Sequence, residues 1–309
     1  MKLALLPAVA LLLAQAAVLV GGAAATVGDQ ASVAGNTFST DTLAPPTGLT
    51  ATVVGSSIRL DWTATVDTYA SGYYVLRSTT SGGPYGQIGS ATPRTATTYT
   101  DNTAAAGTRY YYVLRSYYQN WQSANSNEAN AAVPTNTGWR SPTAQAAVTS
   151  GSGDNNGFQT NPTNAFADGT VYAEDPDSGT GTGTACSGTG KDRHRFYNYG
   201  FTIPGGQTIN GIQVRLDAWA DSTSGSPKMC VELSWDGGTT WTAAKTTANL
   251  TTSEQTYSLG STSDTWGRTW SSTNFSDANF RLRITNVASN TSRDFRLDWV
   301  PVRVTYTPP

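Results

Sequence analysis

Histidine and cysteine are nearly missing from this 309-residue chain, which has His194, Cys186 and Cys230 and no others. So small a supply excludes a zinc centre, which draws several ligands from these types. A serine–histidine–aspartate arrangement would have to use His194, and no Gly-x-Ser-x-Gly stretch frames a serine in a strand-to-helix turn. Charged residues are also scarce, at 13% with a formal net charge of -2. That balance offers no basic stripe, so no nucleic-acid partner is expected. No window keeps a helical period, and beyond the N-terminus no apolar run is long enough to span a bilayer.

What is present points to strands. Glycine (31), tyrosine (15) and tryptophan (9) are generous. Turns need glycine, and half-buried strands favour Thr, Tyr and Trp, so the composition reads as an all-β extracellular protein. The first residues carry Lys2, an apolar stretch from Leu3 to Val20, and the small-residue pattern Ala23-x-Ala25. This reads as a signal peptide over 1–25, with an uncleaved anchor as the other reading. In an exported chain, the pair Cys186 and Cys230 is read as a disulfide. Residues 26–43 follow as an N-terminal segment or linker. There "GNTFSTDTL", with Gly35, Asn36, Phe38, Thr42 and Leu43, resembles the mature start of camelysin-type exported surface proteins.

Residues 44–134 form a first module. In "SIRLDW", Ile58, Leu60 and Trp62 share one face, and in "RYYYVLRSYY" Tyr110, Tyr112 and Leu114 do the same. Tyr111, Val113, Arg115 and Tyr117 are expected to face out. Strands recur about every ten residues, as in a sandwich. The entry "PPTGLTAT", Trp62, "AGTRYYYV" and the exit "SNEANAAVP" together resemble a bacterial fibronectin type III domain. The resemblance implies a two-sheet Ig-like sandwich, with Tyr110 as its tyrosine corner.

A polar linker, 135–138, leads to a second module over 139–309. Ile212, Val214, Leu216 and Ala218 alternate with polar residues, as do Met229, Val231, Leu233 and Trp235, and Phe280, Leu282 and Ile284. Near the C-terminus Phe295, Leu297 and Trp299 share one phase, and Val300, Val302, Val304 and Tyr306 the other. A bulge is therefore expected beside Pro301. Long loops between such strands suggest a larger, jelly-roll-like β-sandwich. "GWRSPTAQ", "KDRHRFYNYGFTIP", "INGIQVRLDAWAD" and "RDFRLDWVPVRVTY" resemble an uncharacterised repeat of bacterial surface and phage-associated proteins.

Four features could carry function. "SWDGGTTW", 234–241, resembles the Asp-box of sialidase propellers through Ser234, Asp236, Gly238, Thr240 and Trp241. It occurs once, whereas a propeller repeats it, so it is read as a hairpin turn. Glu174, Asp175 and Asp177 cluster in "YAEDPDSG", and Asp298 lies in a strand. These are read as a solvated loop, a structural Ca²⁺ site with Asp154, Asn155 and Asn156 as further ligands, or a catalytic pair of Glu174 and Asp298. Tyr117, Tyr118 and Trp121 sit at a strand end and its loop, while Trp219 breaks an inward phase and Trp266 and Trp270 punctuate "DTWGRTW". Flat aromatic faces of this kind stack on sugar rings or partner side chains.

The resulting expectation is a non-catalytic, secreted or cell-surface protein that binds glycan or protein. One alternative is a structural subunit of a surface filament or matrix that self-assembles. Another is an accessory part of a glycan-active enzyme. No cofactor is expected beyond possible structural calcium.

Overall fold

The computed structural model describes residues 42–309. The expected signal peptide and nearly all of the segment 26–43 lie outside the described residues. Among the described residues no helix is long and apolar enough to cross a membrane.

The first module contains β1 (Thr47–Val54), β2 (Ser57–Thr63), β3 (Gly72–Ser78), β4 (Gly86–Ala91), β5 (Thr98–Asp101), β6 (Arg109–Tyr118), β7 (Trp121–Gln122) and β8 (Ala129–Ala132). One sheet has the order β1-β2-β5 and the other runs β4-β3-β6, with β7 and β8 both on the far edge of β6. The alternation read from the sequence is what closes them face to face. Ile58, Leu60, Trp62, Tyr73, Val75, Tyr110, Tyr112 and Leu114 are buried in one cluster. The Tyr110 hydroxyl accepts the backbone N–H of Ala105 at 3.3 Å, five residues back, as a tyrosine corner does. Tyr111, Arg115 and Tyr117 stand half-exposed on the outer face, whereas Val113 is buried there beside its cross-strand partner Leu76.

Asp101 ties the two sheets together. Its buried carboxylate accepts from Arg77 at 2.7 Å, from the Tyr112 hydroxyl at 2.9 Å and twice from Thr103. Burial pushes this carboxyl up, but the bonds from Thr103, Arg77 and Tyr112 outweigh it and hold it below the usual range. A depressed native pKa contributes stability that is present above the unfolded value and lost as pH falls through the folded one. Asp101→Asn should therefore cost about 2 kcal/mol at neutral pH. In urea titrations the gap between variant and parent should shrink as pH drops below about 4.

The second module contains β9 (Thr135–Asn136), β10 (Ala144–Ala147), β11 (Ala173–Asp175), β12 (Arg193–Tyr197), β13 (Thr208–Ala220), β14 (Lys228–Ser234), β15 (Lys245–Thr246), β16 (Gln255–Gly260), β17 (Arg281–Val287), β18 (Phe295–Trp299) and β19 (Val302–Thr307). One sheet runs β10-β12-β17-β14-β15. In the other, long β13 pairs with β16 on one edge. On its other edge it pairs with β18 and β19, which follow each other along the same ladder. The two sheets face each other over a core that includes Ile212, Val214, Leu216, Met229, Val231, Leu282, Ile284 and Phe295.

Two boundary details differ from the sequence reading. The polar stretch 135–138 does more than link: β9 pairs with Thr305 and Tyr306 of β19, and Thr137 and Arg140 extend the edge by bonds to Val304 and Val302. The strand phase slips at Asp298, three residues before Pro301, where the ladder to β13 shifts between Asp217 and Ala218. Trp299 is thereby turned outward, onto Arg215 and the Ser141 hydroxyl, and Val300 is turned into the core. Arg109 of β6 reaches the C-terminal backbone, donating to Pro308 O at 2.9 Å and to Pro309 O, so the two modules touch through polar bonds.

Candidate functional site

The most exposed aromatic surface lies at the end of the first module. β6 turns into β7 through Gln119-Asn120, with Gln119 at φ 50°. A hairpin turn this short holds its flanking residues side by side. Here those residues are Tyr118 and Trp121, which are 37% and 57% exposed. Tyr69 meets Tyr118 edge-on at 5.7 Å, and Tyr117 stacks on Tyr74 at 4.3 Å. Successive strand residues face opposite ways, so Tyr117 and Tyr74 lie on the other face of the sheet, and the platform is Tyr69, Tyr118 and Trp121, with the tryptophan most exposed.

The other candidate aromatics part company with these. Trp266 and Trp270 are 4% and 5% exposed, so neither offers a ring face to a ligand. Each indole N–H is spent on backbone, Trp266 on Ile212 O at 2.9 Å and Trp270 on Thr265 O at 2.8 Å. Their loop folds back because two large apolar rings gain more from burial than from solvent. Trp219 is half-buried on the outer face of β13, against Tyr172 at 4.8 Å. It is not brought together with Trp121's group.

The acidic candidates also separate. Glu174 pairs with Arg296 at 2.8 Å across β11 and β18. Asp298 accepts the Gly169 N–H at 3.0 Å on the bulge. Each of the proposed pair thus has its own partner, which is poor preparation for shared acid–base work. Asp175 is buried and accepts from Asn286 at 2.7 Å. Asp177 converges with the carboxylates of Asp154 and of Asp192, the latter not singled out from the sequence, while Asp298 is pushed up by burial and by the charges of Asp168 and Asp217. Asn156 stays local, donating to Asp154 and Gln159, and Asn155 sits at φ 75° in the same turn.

His194 is a core residue. Its Nδ1 accepts the Phe158 N–H at 3.2 Å, and its Nε2 lies 2.7 Å from Gln145 Oε1. Burial pushes its pKa down to about 4, so the ring is neutral at pH 7. The Asp-box stretch is a turn: Asp236 accepts from the N–H groups of Thr239 and Thr240, and Gly237 and Gly238 take φ 78° and 96°. Trp241 closes it by donating to Gly238 O at 3.1 Å. Cys186 and Cys230 form the expected disulfide.

One surface was missed. Arg193, Arg195 and Tyr197 of β12 alternate outward from His194 and Phe196, and Arg281 and Arg283 of β17 do the same. Arg195 sits directly opposite Arg283, whose other neighbour is Glu232 at 2.7 Å. Trp241 lies over Arg283 at 4.1 Å. The signal was in the sequence as two arginine pairs at i, i+2 spacing, which a strand places on one face.

No family model matches the chain, and no curated protein matches it. Parts of solved structures do. A Fn3-like protein from Clostridium thermocellum is 40% identical over 31% of this chain and 97% of its own, with a TM-score of 0.27. A pectate lyase from Pectobacterium carotovorum is 26% identical over 27% of this chain and 26% of the lyase, at TM-score 0.25. A β-1,2-glucanase from Parabacteroides distasonis is 22% identical over 32% of this chain and 14% of the glucanase, at TM-score 0.27. The chain therefore spans about a quarter or less of either enzyme's length. By strand order and core the protein is all-β, a fibronectin type III-like sandwich followed by a larger two-sheet sandwich.

Proposed function

We propose that this is an exported, non-catalytic protein of the cell surface or matrix, and that it binds glycan or protein at the Trp121 platform. The carrying observation is Trp121 itself, a large ring 57% exposed at a rigid hairpin and backed by Tyr118. Leaving such a ring in water gives up burial that a folded chain ordinarily gains, and an aromatic face suits stacking on a sugar ring or an apolar partner surface.

The test is a glycan-array and pull-down screen on the full chain. Wild type should retain a defined ligand, and Trp121→Ala should weaken that binding by tenfold or more, about 1.4 kcal/mol. Trp121→Ala should leave the melting temperature unchanged, because the ring is exposed. Retained affinity in Trp121→Ala would remove the platform from the account.

A further inference from the structure

We propose that Asp154, Asp177 and Asp192 bind a single Ca²⁺ ion that ties down the loop between β11 and β12. One carboxylate oxygen from each residue lies within 4.8 Å of the other two. Calcium–oxygen distances run about 2.3–2.6 Å, so two ligands on opposite sides of the ion stand about 4.8 Å apart. The three oxygens fit within one such coordination sphere.

A second observation points the same way. Asp192 is 0% exposed, and its Oδ2 has no hydrogen-bond partner among the described residues. Its Oδ1 accepts the Asp154 N–H at 3.2 Å, and a buried carboxylate left with one oxygen unsatisfied is costly unless a cation or proton joins it. The basic residues on either side of Asp192 are engaged with backbone carbonyls: Lys191 donates to Ala288 O at 2.6 Å and Arg193 to Gly188 O at 2.8 Å. Burial and the adjacent carboxylates of Asp154 and Asp177 push the Asp192 carboxyl up to about 8. Burial also pushes Asp175 up beside it.

The backbone is built around this carboxylate. Gly153 and Gly179, at φ 54° and 87°, approach so closely that an added Cβ would stand 1.9 and 3.1 Å from Asp192 Oδ1. An open pocket of about 440 Å³ leads to the cluster, lined by Asp154, Asp177, Thr180, Thr291 and Ser292, and gives an ion and its waters a route in. The donors are all hard oxygens, since both cysteines are bonded to each other and both His194 nitrogens are engaged. Such a set selects calcium over zinc or copper.

Equilibrium dialysis of the full chain should find one Ca²⁺ per molecule. At a hundredfold excess of calcium over its Kd, the melting temperature should stand about 5 °C or more above the value in EDTA. Asp177→Asn should remove that shift. Asp154→Asn, whose side chain is exposed, should remove it without disturbing the fold as read by circular dichroism. Glu174→Gln should keep it, because Glu174 belongs to Arg296. No bound ion and no shift in wild type would overturn the proposal in favour of a proton shared between Asp154 and Asp192. A full shift in the Asp154→Asn, Asp177→Asn double variant would overturn the ligand set.

Discussion

Trp270→Ala lowers the stability of the second sandwich by about 4 kcal/mol and leaves ligand affinity per folded molecule unchanged. The ring stacks on Phe275 at 5.2 Å, meets Trp235 edge-on at 6.1 Å, and carries the Arg268 guanidinium 4.5 Å from its centre. Alanine would empty that space and remove the shorter of the two bonds to Thr265 O, leaving the Arg268 backbone N–H at 3.3 Å. Urea unfolding followed by circular dichroism reads the loss. Trp121→Ala, by contrast, removes an exposed ring and should move stability by less than about 0.5 kcal/mol. An unchanged urea midpoint in Trp270→Ala would mean that the ring is not packed as described.

Removing the Cys186–Cys230 bond should cost a similar amount. The bond closes a loop of 44 residues, for which the loss of unfolded-chain entropy is worth about 4 kcal/mol. The bond also has a local task. Cys230 lies on β14 with its side chain turned away from the core, in register with Thr246 of β15. The glycine-threonine loop carrying Cys186 covers it, so Cys230 is buried although it faces outward. The Cys186→Ser, Cys230→Ser double variant should unfold at lower urea and should be cut by protease between Gly179 and Gly190. Equal midpoints with and without reductant would contradict this.

Strands in both sandwiches were legible because alternation alone decides which face is buried. Ile212, Val214, Leu216 and Ala218, and Tyr110, Tyr112 and Leu114, face the cores as their spacing requires, while Val113 and Asp217 on the opposite faces are buried by neighbouring elements. Loop residues carry no such period. Trp266 and Trp270 look like surface aromatics on the line of the sequence, but their loop doubles back, with Trp266 at φ 55° and its N–H held by Asp264. The bulge at Asp298 was felt as a phase slip but misplaced by three residues, since proline was the visible breaker and the unpaired residue was not.

The acidic site was half visible. Asp154 and Asp177 sit in polar turns that advertise them, whereas Asp192 stands just before β12 between two basic residues and reads as a solvated charge. Only the tertiary fold buries it beside the other two. The arginine face was legible in principle but hidden by the totals, because a net charge of -2 says nothing about how charges sort between the faces of a sheet.

Trp121 is the residue on which the proposed binding surface turns. Its most direct test is affinity electrophoresis of wild type and Trp121→Ala side by side through gels containing the glycan or protein picked out by the screen, with melting temperatures matched beforehand. Retardation of wild type and free migration of Trp121→Ala at equal stability is the predicted result. Equal retardation of the two, or none of either across the ligands tried, would contradict the reading of the hairpin platform as the binding surface.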